Sequence, residues 1–231
     1  MTTIANNLQA VHQRIASACK TAGRDPSQVR LLAVSKTYSA AAVAQALDAG
    51  QLQFGENYIQ EAVGKVVELT GTPSIWHCIG PIQSNKTRQV AEHFDWAQSV
   101  DRLKIAQRLN DQRPTHLAPL QVCIQVNTDG GSTKAGVAPD ALAELAHAIH
   151  KMPRLRLRGL MTIPEPAPDF ESACALHARA RLLFDQLNAQ GLALDTLSMG
   201  MSADLEAAIH AGSTMVRVGT AIFGARAPMR P

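Results

Sequence analysis

The sequence predicts an α/β fold, a single (β/α)8 barrel of the TIM type over residues 1–231, with residues 1–23 forming an extra N-terminal helix. Three observations carry this. Eight apolar, strand-like runs alternate with stretches of helical periodicity. Several runs, Leu120 to Val126 among them, are apolar on both faces or nearly so, as strands covered on both sides must be. Only 4% of the residues are aromatic although 46% are apolar, so the core is built of Ala, Leu, Val and Ile, which suits helices packed on parallel strands. An open doubly wound sheet is the competing arrangement.

The elements follow in order. Ile4, Leu8, Val11, Ile15 and Cys19 recur at spacings of three and four, giving an amphipathic opening helix that Gly23 and Pro26 end. Strands are expected at Leu31 to Ser35, Leu52 to Gly55, Ile75 to Gly80 and Phe94 to Val100. Four more follow at Leu120 to Asn127, Leu155 to Thr162, Leu194 to Gly200 and Thr214 to Gly219. Helical patterns lie between them at Ala40 to Ala49, Asn57 to Leu69, Ser84 to His93 and Asp101 to Gln112. They continue at Pro139 to Lys151, Phe170 to Gln190 and Ala203 to Ala211. The proline-rich stretch 163–168 is too short for a linker and reads as a rigid loop after strand six. So little chain follows strand eight that no second domain is expected.

Composition removes several classes of function. The net charge is only +3, and the densest basic run, Arg154, Arg156 and Arg158, alternates with leucine as a solvated strand entry does, so no nucleic-acid partner is expected. No stretch reaches the roughly 18 apolar residues of a membrane span, and no signal-peptide pattern opens the chain. Cys19, Cys78, Cys123 and Cys174 lie far apart without metal-ligand spacing, as reduced structural thiols do, and a cytoplasmic location is expected. With no heptads or obvious apolar patch, the expected state is a monomer.

The chemistry gathers at the strand ends. Lys36 ends the apolar run Leu31-Leu32-Ala33-Val34-Ser35, at the carboxyl edge where barrels of this type carry their sites. Desolvation there lowers an amine from its reference of roughly 10.4 and frees it to attack an aldehyde. A lysine reaching to water from a strand end is the other reading. Strands seven and eight, next to strand one in a closed ring, run into Met199-Gly200-Met201-Ser202 and Arg217-Val218-Gly219-Thr220. Both are short turns leading into a helix start, where unpaired amides favour an anion; Gly219 admits close approach, and Ser202 and Thr220 add hydroxyls. Ordinary capping by Ser202 and a routine turn at Gly219 are the alternatives. Val216 and Val218 flank Arg217, so alternation turns its guanidinium toward the barrel mouth, to meet an acid, water or a polar ligand. An aldehyde for Lys36, a phosphate for the turns and a polar ring atom for Arg217 are the three handles of pyridoxal 5′-phosphate.

At these residues the chain resembles a known family. Ala33-Val34-Ser35-Lys36, Phe54-Gly55-Glu56-Asn57-Tyr58, the run His77 to Lys86, Arg158-Gly159-Leu160-Met161, Leu197 to Ser202 and Val216 to Gly224 are similar to the pyridoxal phosphate homeostasis proteins. The resemblance implies a barrel like the N-terminal domain of alanine racemase and an internal aldimine on Lys36. It also implies that Arg217 faces the pyridine nitrogen, and that Ser202, Gly219 and Thr220 receive the phosphate. Asn57, His77 and Met201 are further candidate contacts; a helix cap for Asn57 and a satisfied core histidine for His77 compete. Lys134, in a Lys-x-Gly shared with the family, is a candidate for touching incoming cofactor, against a solvated loop lysine, and Lys86 matches without an assigned role.

A cationic partner keeps the pyridine nitrogen unprotonated and weakens the ring as an electron sink. Racemisation also needs a second acid or base, which alanine racemases draw from a tyrosine of an added β-domain. Only Tyr38 and Tyr58 are present here, neither in a matching segment. The expected function is therefore a cofactor carrier and buffer, with enzymes lacking their pyridoxal phosphate as recipients. A weak racemase or decarboxylase, and a cofactor-free Schiff-base aldolase, are the alternatives.

Overall fold

The structure is a computed structural model that describes residues 3–130 and 135–224. After the opening helix α1 (Ile4–Thr21), the chain alternates β1 (Arg30–Val34), α2 (Ala40–Asp48), β2 (Gln53–Glu56), α3 (Ile59–Glu68), β3 (Ile75–Cys78), α4 (Thr87–His93), β4 (Trp96–Val100) and α5 (Leu103–Gln112). It continues through β5 (Leu120–Gln125), α6 (Leu142–His150), β6 (Leu155–Met161), α7 (Phe170–Ala189), β7 (Thr196–Ser198), α8 (Leu205–His210), β8 (Met215–Val218) and the short α9 (Thr220–Phe223). The strands form one closed parallel barrel in sequence order. Pairing of β1 with β8, from Arg30 opposite Met215 to Ala33 opposite Val218, closes the ring and rules out the open sheet.

The largest apolar cluster lies between ring and helices, where Leu31, Ala33, Val216 and Val218 meet residues such as Val43, Ile105 and Ile209. A smaller cluster of Trp96, Cys123 and Met161, with Ile75 against it, is separate. Arg30 and Arg158 approach the Trp96 ring at 5.9 and 4.9 Å, and Arg158 is paired with Asp195 at 2.5 Å. The basic run thus belongs in part to the structure of the barrel.

Thr3 caps α1 by accepting from the Asn6 amide at 3.2 Å. The helix packs against α8, α9 and α2, across the seam where β8 meets β1. Asn7 Nδ2 donates to the Ile222 carbonyl at 2.8 Å, Arg14 grips Glu206 at 2.5 and 2.6 Å, and Arg24 Nη1 donates to the Ile209 and Ser213 carbonyls.

The four cysteines are free, and burial pushes the Cys78 and Cys123 thiols up to about 12. Among the described residues no cluster of His, Cys, Asp or Glu is placed to hold a metal ion, and no helix is long and apolar enough to cross a membrane.

Candidate functional site at the barrel mouth

β1 ends at Val34, and the Ser35 amide extends its ladder by donating to the Gly55 carbonyl at 3.0 Å. Lys36 therefore begins the turn after the strand, half-buried, rather than ending the strand itself. Thr37, next to it, has φ 69°, a left-handed conformation that is unusual for a residue with a β-branched side chain. The ladder sets Ala33 opposite Val218, so Gly219 lies level with Val34, two residues before Lys36. A Cβ on Gly219 would lie 3.1 Å from the Val34 carbonyl oxygen, which shows how closely the two strand ends approach.

Gly219 precedes α9, and its carbonyl accepts from the Ile222 and Phe223 amides at 2.8 and 3.1 Å. Thr220 and Ala221 are exposed, and the first amides of a helix have no intrahelical acceptor. Tyr38 ties this turn to the one carrying Lys36: its ring stacks on Phe223 at 4.9 Å and its hydroxyl donates to the Gly224 carbonyl at 2.6 Å.

Arg217 is 4% exposed. Its Nη1 donates to Ser198 Oγ at 2.9 Å and its Nη2 to the Thr162 carbonyl at 2.7 Å, so it spans the ends of β8, β7 and β6. Both acceptors are neutral, so among the described residues its hydrogen bonds are not those of a salt bridge to an acid. Burial pulls the guanidinium down to about 10, with the charge of Asp204 opposing. Ser198 Oγ donates onward to Gln98 Oε1 at 2.7 Å, and Gln98 Nε2 contacts His77 Nδ1 at 2.9 Å and Met215 Sδ at 3.1 Å.

His77 is thus a fully buried member of this network, stacked on Trp96 at 5.0 Å. Burial, helped by the charge of Arg30, holds its pKa well below 6.5, so the ring is neutral when folded. The unfolded chain takes up a proton there as pH falls through about 6.5, so the stability this group contributes is present above that pH and lost below it. Denaturant midpoints should fall on acidification from pH 7.5 to 5.5, His77 adding a slope of about 1.4 kcal/mol per pH unit below 6.5. The His77→Gln variant should lack that increment, and equal slopes in the two proteins would refute the assignment.

The turn after β7 is closed by Asp204. Its Oδ1 accepts from the Met201 amide at 2.6 Å and its Oδ2 meets His177 Nε2 at 2.9 Å. Burial pushes this carboxyl up, but those hydrogen bonds and the charge of Arg217 outweigh it and hold it below the usual range. Ser202 lies inside this turn, half-buried, with Met201 exposed beside it. The helix expected from Ala203 starts at Leu205, so Ser202 is not its cap.

Asn57 follows β2, and its Oδ1 is buried without a partner. It does not cap α3, which starts at Ile59 with Tyr58 at the cap position. Gly80 makes room for it: a Cβ there would lie 2.2 Å from the Asn57 carbonyl oxygen. Thr162 Oγ1, beside the Arg217 contact, is likewise buried and unpartnered. Lys86 shares a groove with Asn57, Tyr58 and Gln83, while Lys134 lies outside the described residues. Lys36, Arg217, Gly219, Thr220 and Ser202 are thus placed at neighbouring strand ends, and His77 is placed within the hydrogen-bonded network. Ser198, Gln98, Thr162 and Asp204 complete the site without having been singled out from the sequence.

Comparison with known proteins places the chain in a family. Residues 6–227 match the family of the alanine racemase N-terminal domain. The chain is 60% identical to the pyridoxal phosphate homeostasis protein of Pseudomonas aeruginosa over 98% of this chain and 97% of that one. It is 54% identical to the protein of the same name from Escherichia coli K12, over 98% of each chain. Among solved structures, PipY of Synechococcus elongatus PCC7942 with PLP bound is 38% identical, with a TM-score of 0.79 over 91% of this chain and 100% of that one. Alanine racemase of Clostridium difficile 630, at 16% identity and a TM-score of 0.72 over 94% of this chain and 57% of that one, shares the fold. The chain belongs to the pyridoxal phosphate homeostasis proteins, within the alanine racemase N-terminal domain family.

Proposed function

We infer that this protein binds pyridoxal 5′-phosphate reversibly and acts in cofactor homeostasis, buffering and delivering it, rather than in substrate turnover. One observation carries the reading: pairing of β1 with β8 brings Lys36, Arg217 and the Gly219 turn to one end of the ring. The residues fit the ligand. Lys36 is the covalent anchor for the aldehyde, through a Schiff base. Ser202, Gly219 and Thr220 receive the phosphate, at turns that lead into helix starts, whose first amides have no intrahelical acceptor. Arg217, with two of its five N–H donors on protein acceptors, offers another to the ring nitrogen. The orphaned Asn57 Oδ1 marks an acceptor that a ligand can satisfy, and Met201 flanks the phosphate turn. His77 acts through Gln98 and Ser198, holding Arg217 in place.

Bound there, the cofactor supplies a reactive aldehyde on an electron-withdrawing ring. A cation at the ring nitrogen restrains that withdrawal, which suits storage better than turnover. Tyr38 is committed to Gly224 and Tyr58 is exposed beyond β2, so neither stands ready as a second acid or base. The names of the relatives and the ligand of PipY support the same reading. A monomer in the cytoplasm, passing cofactor to enzymes that lack it, completes it.

Borohydride reduction followed by peptide mass mapping tests it. Wild-type protein should be yellow, carry a permanent cofactor-sized adduct on Lys36 and restore an enzyme stripped of pyridoxal phosphate. The Lys36→Ala variant should lose colour and adduct together. Absence of an adduct from wild type, or steady amino-acid turnover by it, would overturn the reading.

A further inference from the structure

The turn carrying Lys36 is held from outside the ring by a buried cluster of charges. Lys65 Nζ, on α3, donates to the Ser35 carbonyl at 2.8 Å, to Glu56 Oε1 at 2.8 Å and to Glu61 Oε1 at 2.6 Å. Those are the three donors an ammonium has. Glu56 Oε1 also accepts from Ser35 Oγ at 2.6 Å, and Glu61 Oε1 from the Thr37 amide at 2.7 Å. Three of these five bonds end on Ser35 or Thr37, immediately before and after Lys36, and the two between Lys65 and the carboxylates tie them together. Glu56 is fully buried and Lys65 is 5% exposed.

Two features say that this cluster does more than fill space. Burying an ion pair commonly stabilises no better than apolar side chains of the same volume. Thr37, at φ 69°, is in a conformation that costs a non-glycine residue about 1–2 kcal/mol and persists only where its surroundings impose it. Glu61 accepts from the Thr37 amide and is itself held by Lys65.

We propose that Lys65, with Glu56 and Glu61, is a positioning group that fixes the backbone on both sides of Lys36 and so aims its amine at the barrel mouth. None of the three needs to touch ligand. The use of that aim rests on the reading of Lys36 as the covalent anchor, but the aim itself is a property of the ligand-free protein.

The test reads both states. In ligand-free protein, trace acylation of Lys36 by acetic anhydride is followed against pH by peptide mass mapping. In parallel, the fraction of Lys36 trapped by borohydride is measured at limiting pyridoxal phosphate. Glu61→Ala, at a partly exposed position, removes the Thr37 acceptor and one Lys65 partner. It should move the Lys36 acylation profile toward that of an ordinary solvated lysine and lower trapping by up to about a hundredfold, the scale a misplacement of about 1 Å can reach. Glu61→Gln keeps an acceptor oxygen and should restore both to within about twofold of wild type. Glu56→Gln/Lys65→Met removes both buried charges together, avoiding a lone buried ion, and should give the outcome expected of Glu61→Ala should that variant not fold. Variants whose unfolding midpoints move while acylation profile and trapping stay at wild-type values would overturn the proposal. If wild type traps no cofactor while the profiles still separate, the cofactor reading falls and the positioning role stands.

Discussion

Gly159→Ala is expected to cost at least about 4 kcal/mol, the range reached when a substitution forces backbone apart inside a core. An added Cβ would lie 1.7 Å from the Thr196 carbonyl oxygen and 2.7 Å from its carbon, so a strand rather than a side chain must move. Gly159 pairs with Thr196 on β7, and its neighbours Leu160 and Leu197 pair next to it, both fully buried. The β5–β6 register also slips here, Leu157 facing Val122 and Gly159 facing Cys123, so that Arg158 has no partner on β5. Separating β6 from β7 would also pull Thr162 from Arg217. Since whole domains are stable by only about 5–15 kcal/mol, a large part of the margin should go. Urea unfolding of the two proteins checks it, and a wild-type midpoint in the variant would contradict the strand contact.

Arg217→Met should separate stability from binding. The guanidinium is buried against two neutral oxygens, while Asp204, the acid whose charge it feels, is bonded to Met201 and His177. A methionine fills much of the same space without a charge to desolvate. Ser198 keeps its bond to Gln98, and the Thr162 carbonyl loses a donor, at a cost of about 1–3 kcal/mol. The two changes oppose each other, so thermal stability should stay within about 2 kcal/mol of wild type. Affinity for pyridoxal phosphate should nevertheless fall about 10- to 100-fold, equivalent to about 1.4–2.8 kcal/mol of lost contact with the ring. Calorimetric melting and a fluorescence titration measure the two separately. Undiminished affinity would remove Arg217 from the ligand site.

The ring and the positions of Lys36, Arg217 and Gly219 were legible because each depends on local pattern. Apolar runs locate the strands, and two-residue alternation turns Arg217 inward between Val216 and Val218. Helix starts were less legible. The α8 start is displaced from Ala203 to Leu205 because Asp204 folds back on Met201, a turn that composition alone does not announce. Least legible were the partners. Ser198 meets Gln98 across 100 positions of sequence and Arg217 meets Thr162 across 55, and no short-range pattern encodes such pairings. Glu61 and Lys65 did leave a signal, an acid four residues before a lysine on a helix, but that spacing usually marks an exposed pair. What makes it unusual is the buried Glu56 beneath it, which only the fold supplies.

The helix across the seam joins the remotest stretches of the molecule: Asn7 reaches Ile222 over 215 positions and Arg14 reaches Glu206 over 192. Such distant partners meet late, since the entropy lost in bringing them together grows with the chain between them. Lys36 and Gly219 lie just after the two strands united by this final joint. A small molecule gripping both rewards only the joined form, by about 2.7 kcal/mol when present at a hundred times its Kd. Occupancy and resistance to unravelling should therefore rise and fall together, making the melting temperature itself a gauge of how much cofactor is being held.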